Sequence, residues 1–174
     1  MFLESLSLEK GRVHEAFGRA RHLFALLVMR EMRGPVFWVR PAWEGARLNG
    51  PGMACFADPG RVVFVDAPRP LDLLWTLEEV LRSGEVPLVV GDLDGVPGLT
   101  PMRRLQLATE TGGGRALGLV LTPEGRAPGA QSRWEMQPDH AAELTRWRLM
   151  RERGGGGAPR SWQVVPKGKG FTLL

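Results

Sequence analysis

The 37-residue stretch Val86–Thr122 reads VPLVVGDLDGVPGLTPMRRLQLATETGGGRALGLVLT, and its reading decides the fold. It opens on an apolar run, Val86–Val90, that stops at Gly91-Asp92. A loop with Pro97, Gly98 and Pro101 follows, then a helical pattern over Met102–Glu110, ended by Gly112-Gly113-Gly114. A second apolar run, Ala116–Leu121, closes the stretch. Short apolar runs bounded by turn residues predict buried strands. Neither run alternates with polar residues, as expected of strands covered on both faces. Two such strands joined through a helix form a parallel βαβ unit, because parallel neighbours need a crossover. The chain is therefore expected to be α/β, with its other elements packed around this unit.

Working outward, Gly11–Phe17 alternates and predicts a strand ending at Gly18. Ala20–Met32 carries Leu23, Leu26 and Leu27 at helical spacing and predicts a helix that stops before Gly34-Pro35. Val36–Val39 and Arg61–Val65 are two further buried strands. Between them the chain is rich in Gly and Pro, with a turn at Asn49–Gly52 and a short helix near Met53–Ala57. Leu71–Arg82 is the clearest helix: Leu73, Leu74, Leu77, Val80 and Leu81 make one apolar face. Asp72 in its first turn, Arg82 in its last and Gly84 beyond suit the helix dipole and the C-cap. After Thr122 the period changes. Ser132–Gln137 alternates, Thr145–Arg153 fits helix or strand, and Ser161–Val165 fits a strand. A terminal antiparallel hairpin of Leu144–Arg151 with Ser161–Val165 is the preferred arrangement.

The chain of 174 residues is long enough for one domain with a sizeable core. No apolar run approaches the about 18 residues that would cross a membrane. Glu4 precedes any apolar run, so no signal peptide is expected. With Cys55 the only cysteine, no intrachain disulfide forms, and a cytoplasmic setting is expected. The net charge of +4 is uneven: residues 1–50 hold 8 basic and 5 acidic side chains, 51–100 hold 3 and 8, and 101–174 hold 12 and 6. The basic C-terminal part suits a polyanion or an acidic partner, or a solvated surface.

The order of the elements resembles the RecA core, with Gly11–Gly18 in the place of the strand that leads into the phosphate loop. More closely, the chain resembles ImuA proteins, the RecA/SulA-like SOS mutagenesis accessory proteins. The resemblance is carried by Val13-His14-Glu15, Gly34-Pro35-Val36-Phe37-Trp38, Trp75 with Glu78-Glu79 and Leu81-Arg82-Ser83, Arg103-Arg104-Leu105-Gln106-Leu107-Ala108, Ser132-Arg133-Trp134, and Trp147-Arg148-Leu149 with Arg151 and Arg153-Gly154-Gly155. It implies a single RecA-like α/β domain over 1–174: a mostly parallel central sheet flanked by helices, with an antiparallel C-terminal hairpin. Residues 154–174 are a candidate flexible turn, edge strand and tail. It also implies an accessory role in error-prone translesion synthesis. The implied partners are an ImuB-like relative of Y-family polymerases and an error-prone replicative-type polymerase, with RecA and single-stranded DNA as further candidates. No membrane association is expected. A SulA-like inhibitor of the tubulin-like division protein and a residual RecA-type ATPase are the alternatives.

Catalytic chemistry is not apparent. A phosphate loop needs G-x-x-x-x-G-K-[ST], whose backbone amides and Lys hold the phosphates. After Gly18 the chain reads Arg19-Ala20-Arg21-His22-Leu23-Phe24, and its only lysines are Lys10, Lys167 and Lys169. The Walker A motif is absent, and no cofactor or productive ATP binding is expected. Arg19 and Arg21 fit solvated charges on a first helical turn better than phosphate ligands. Asp92 holds the place of a Walker B acid, but without a phosphate loop it and Asp94 fit strand-end and turn residues. Glu44 is the only acid near where a catalytic Glu would follow the second strand. His14, His22, His140 and Cys55 show no metal-ligand spacing, and Cys55 is expected to be a buried thiol. No catalytic or metal residue is assigned. The candidate contacts with nucleic acid or a partner are Arg146, Arg148, Arg151, Arg153, Arg160, Lys167 and Lys169, which flank Trp147 and Trp162, since basic groups beside aromatics suit single strands. The same charges also suit an edge hairpin kept soluble and unpaired. Leu3, Leu6 and Leu8, and the tail Phe171–Leu174, are either docking segments or part of the chain's own core.

Overall fold

The computed structural model describes residues 6–154, 156–168 and 170–174. Its centre is one nine-stranded sheet in the order β3-β2-β4-β5-β1-β6-β7-β8-β9. The strands are β1 (Val13–Phe17), β2 (Val36–Pro41), β3 (Val62–Ala67), β4 (Leu88–Asp92), β5 (Leu117–Leu121), β6 (Arg133–Pro138), β7 (Trp147–Arg153), β8 (Arg160–Lys167) and β9 (Gly170–Leu173). From β3 through β6 every pairing is parallel; from β6 to β9 every pairing is antiparallel. The α/β architecture expected from the sequence is therefore present, with the Val86–Thr122 crossover at its middle. The structure adds one strand and decides between alternatives that the sequence left open. A fourth antiparallel-side strand, β9, pairs on β8 and puts Phe171 and Leu173 against the core. Leu6 is fully buried and Leu8 packs beside it, so these residues belong to the core; Leu3 lies outside the described residues.

Among the described residues four α-helices cover the sheet: α1 (Arg21–Glu31), α2 (Gly50–Ala54), α3 (Pro70–Ser83) and α4 (Leu99–Thr111). α1 is buried along six consecutive residues, Phe24–Met29, and packs on one face with Trp38, Trp134, Trp147 and Trp162. α3 and α4 lie side by side on the other face, over Val13, Val39, Val89 and Val120. α3 begins at Pro70 and ends at Gly84 in the left-handed region (φ +66°), as its sequence predicts. The short α2 starts earlier than expected because Asn49 accepts from the Gly52 amide (2.6 Å) and caps it. Its neighbour Cys55 is exposed, contrary to the buried thiol expected: only Met53 of that helix turns inward. No helix among the described residues is long and apolar enough to cross a membrane.

Candidate functional site

The β1–α1 connection is where a phosphate loop would lie, and its amides are already in use. Gly18 has φ +93°, and a Cβ there would sit 2.5 Å from the Met136 carbonyl of β6. This close approach lets the Ala20 amide donate to Met136 O (3.0 Å). The Arg19 amide donates to Gln137 Oε1 (3.2 Å) and the Arg21 amide to Gly18 O (3.3 Å). A helix start binds anions through free N–H groups. Three that would face a phosphate here are held by β6 and by the turn. Arg21 is not the solvated charge expected. It is half-buried, donates to Gly18 O, and its Nε is buried with no partner among the described residues.

Beside this turn, at the carboxyl ends of β2 and β4, lies a cleft of about 380 Å³. Its walls include Arg21, His22, Trp38, Arg40, Glu44 and Asp92. His22 Nε2 meets Asp92 Oδ2 at 2.8 Å, and the His22 ring stacks on Trp38 at 6.3 Å. The acid at the end of β4 is thus engaged by the first turn of α1. Asp94 accepts from the Trp43 indole (3.1 Å), in keeping with a turn residue. Arg40 and Arg47 both donate to Asp66 Oδ1 at 2.6 Å; these bonds, Arg40's first, hold the Asp66 carboxyl below its ordinary range. Glu44 lies on the cleft wall. The sequence reading named Asp92 and Glu44 but not the His22–Asp92 pair, because 70 residues and no periodic signal separate its members.

Two quoted motifs, Val13-His14-Glu15 and Ser132-Arg133-Trp134, lie on neighbouring strands β1 and β6. Glu15 is fully buried. Its Oε1 accepts from the Thr122 hydroxyl (2.7 Å) and the Ala127 amide (2.9 Å), and its Oε2 accepts from Arg133 Nε (2.7 Å). A buried carboxylate is tolerable only when so paired. On the other face His14, also fully buried, meets Glu9 O through Nε2 (2.9 Å) and Ser132 Oγ through Nδ1 (2.6 Å). A carbonyl only accepts, so Nε2 carries the proton and Nδ1 accepts from the Ser132 hydroxyl. Ser132 Oγ in turn accepts from the Trp134 indole (2.6 Å). Burial holds the His14 pKa below its ordinary value. These residues weld β1 to β6; they make no open site.

The other helical motifs also meet. Glu78 of α3 pairs with Arg104 of α4 (2.7 Å) and with Arg82 one turn on. The Gln106 side chain accepts from the Val13 amide (3.1 Å) and donates to Val13 O (3.0 Å) and Gly129 O (3.1 Å), tying α4 to β1.

The basic residues proposed as contacts are spread over the antiparallel strands and do not form one patch. Trp134, Met136, Trp147, Leu149, Trp162 and Val164 point to the α1 side. Alternation then puts Arg148 and Lys167 on the opposite, uncovered face, with Arg148 in register with Gln137 and Gln163. Arg151 and Arg160 face each other across β7 and β8 on the tryptophan side, with Arg160 over the Trp162 ring at 5.1 Å. Arg153 pairs in register with Arg133 at the end of β7. Arg146 is held by Asp139 (2.8 Å) before β7 begins. Lys169 lies outside the described residues. Trp147 and Trp162 are each 8% exposed, so they offer no face on which a base could stack.

The fold and these motifs define a class: a mixed α/β protein with a mostly parallel core sheet flanked by helices and an antiparallel C-terminal extension. No family model matches the chain. It is 32% identical over 148 residues to Protein ImuA from two strains of Caulobacter vibrioides, a match covering 74% of this chain and 59% of each relative. The chain is similar to ImuA proteins over this region. It spans about three fifths of the length of the curated relatives it matches.

Proposed function

We propose that this chain is a non-catalytic accessory protein of SOS-induced, error-prone translesion DNA synthesis, working in the cytoplasm through protein partners and without a cofactor. Its principal partner is an ImuB-like relative of Y-family polymerases, in company with an error-prone replicative-type polymerase; RecA and single-stranded DNA are further contacts. The similarity to ImuA proteins supports the pathway. The observation that carries the non-catalytic reading is the closed β1–α1 turn: the amides of Arg19, Ala20 and Arg21 are spent inside the fold while the sheet around them is intact. Deep binding of a nucleotide phosphate there would require breaking those bonds. The buried Trp147 and Trp162 shift the weight from base stacking toward protein contacts.

The test is co-expression of the full chain with the ImuB-like protein of the same genome, together with calorimetry of the purified chain against ATP and Mg²⁺. A stable complex and no heat of nucleotide binding are expected. ATP hydrolysis that disappears in Glu44→Gln or Asp92→Asn overturns the reading. The full chain is required because removing 154–174 would strip β8 and β9 and unpack Trp162 and Val164 from the core.

A further inference from the structure

A second cleft, of about 430 Å³, opens where β1 and β5 end. Its lining brings together Arg19 and Arg21 of the β1–α1 connection, Arg126 of the β5–β6 loop and Gln137 of β6, with Phe17 and Glu124 beside them. Three guanidiniums thus share the cleft with one carboxylate, which leaves two positive charges in excess within the lining itself. Among the described residues none of the three arginines pairs with an acid, not even with Glu124. Elsewhere in the fold arginines are spent on neighbouring acids: Arg12 on Glu110, Arg69 on Asp72, Arg133 on Glu15 and Arg146 on Asp139. Arg19 and Arg126 are exposed. Arg21 is half-buried, fixed by its bond to Gly18 O, and keeps a buried Nε–H that no described residue accepts. A buried donor without an acceptor is costly, and so is crowding like charges; folding requires neither.

The extent of this charge says what fits it. Arg21 also lines the neighbouring cleft, where Arg40 and Arg47 are both spent on Asp66. The other charged walls there are Glu44, Asp92 and Asp94, so that side sets two guanidiniums against four carboxylates, one of them engaged by His22. On the β6 side Glu135 accepts from Gln137 Nε2 (2.9 Å) and Arg148 stands in register with Gln137, so one acid meets one base. The positive field therefore ends with the cleft. A nucleic-acid strand carries a phosphate on every nucleotide and needs a continuing basic track with rings on which bases stack. The one ring in this lining, Phe17, is half-buried with Gly125 packed against it. A guanidinium also binds a carboxylate through two parallel N–H bonds. A short segment with two or three carboxylates fills the cleft without running on into the acids beside it.

We infer that the Arg19–Arg21–Arg126 cleft is the docking site for such a short acidic segment of a protein partner. This inference rests on the adaptor reading for the nature of the partner. It locates the contact at the end of the sheet where a phosphate loop would lie. The amides of that turn take no part, because they are spent inside the fold; the side-chain forks of the three arginines hold the carboxylates. Arg21 is the fixed member, and Arg19 and Arg126 reach the segment from their two loops.

The full chain is titrated into a short end-blocked peptide with an Asp-Asp-Asp run in a Gly/Ser frame, carrying an uncharged dye and followed by anisotropy, and into its Asn-Asn-Asn counterpart. The acidic peptide is expected to bind at least about tenfold more tightly, and Arg19→Gln/Arg126→Gln to weaken it at least about tenfold. The same loss of charge at two other exposed arginines, Arg33→Gln/Arg103→Gln, should change its affinity by less than about twofold. No binding, equal binding of the two peptides, or equal losses in the two double variants overturns the cleft. An oligothymidylate of the same charge is the nucleic-acid arm: weaker binding than the acidic peptide supports the inference, and tighter binding that Arg19→Gln/Arg126→Gln abolishes overturns it. Neither Arg19 nor Arg126 makes a side-chain bond among the described residues, so unchanged thermal melting of that variant is expected, and the comparison of the two peptides on wild type stands without any variant. Alongside, the ImuB-like protein is captured on wild type with and without excess acidic peptide. Displacement by the peptide supports the cleft; a complex that both the peptide and Arg19→Gln/Arg126→Gln leave intact overturns it while the adaptor reading stands. If the wild-type complex never forms, the adaptor reading fails, and the peptide titration alone decides the cleft.

Discussion

Arg133→Met isolates the contribution of the ion pair that joins β1 to β6. Glu15 is fully buried, and among the described residues Arg133 is its only cationic partner, at 2.7 Å, with the Arg133 guanidinium also donating to Ala127 O at 3.1 Å. Methionine keeps much of the aliphatic volume and removes both bonds. Both bonds are donated by a charged guanidinium, and one such bond is worth about 1.5–3 kcal/mol, so the two together account for at least about 3 kcal/mol. The Glu15 carboxylate keeps the Thr122 hydroxyl and the Ala127 amide but becomes an unmatched buried charge, which brings the expected cost to about 3–5 kcal/mol. Urea unfolding followed by tryptophan fluorescence measures it as a fall in midpoint at constant slope. Glu15→Gln/Arg133→Met should recover part of the loss, because the charge that needed a partner is gone. A single variant less than about 1 kcal/mol below wild type, or a double variant no better than the single, would refute the reasoning.

Three further outcomes follow from the same geometry. Ser132→Ala leaves His14 Nδ1 and the Trp134 indole N–H buried without their partner, so a loss of about 2–6 kcal/mol is expected in the same unfolding assay, at about 1–3 kcal/mol for each group stranded. His14 has a pKa held below the free value of 6.5, so below that value the unfolded chain binds a proton that the folded chain refuses. Stability should fall as pH drops from about 7 toward 5, and denaturation series across that range should show a shallower fall in His14→Gln. Gly18→Ala places a Cβ 2.5 Å from the Met136 carbonyl at a φ of +93°. It should cost at least about 1–3 kcal/mol by thermal or urea melting, the range for strained backbone, whereas Gly45→Ala, where a Cβ meets no neighbour, should be nearly silent.

Periodicity carried the fold because its signals were local. The runs Val86–Val90 and Ala116–Leu121, the apolar stripe of Leu73, Leu77 and Leu81, and Gly84 as a C-cap each depend on residues within one or two turns. What escaped reading depends on contacts between distant segments. β9 is four residues long and weakly apolar, and it becomes a strand only because β8 offers it an edge. The exposure of Cys55 depends on which side of a five-residue helix turns inward. Alternation along β7 sets Arg148 on one face and Trp147, Leu149 and Arg151 on the other, which the sequence pattern already gives; what it leaves open is which face α1 covers, and that face takes Trp147 and Trp162 inward. Burial of a tryptophan in an alternating strand cannot be told from its exposure until the covered face is known.

The closing of the phosphate site and the welding of β1 to β6 are one structural event. β6 runs parallel to β1, and its Met136 carbonyl and Gln137 side chain reach the turn after β1 only because Glu15–Arg133 and His14–Ser132 fix the two strands in register. A bound phosphate would have to compete with those acceptors for the same amides, and the turn contributes no lysine to favour it. At the same end of the sheet His22 occupies the carboxylate of Asp92. The turn amides and the Asp92 carboxylate, the groups that would position a nucleotide and its metal, are here satisfied by the protein itself.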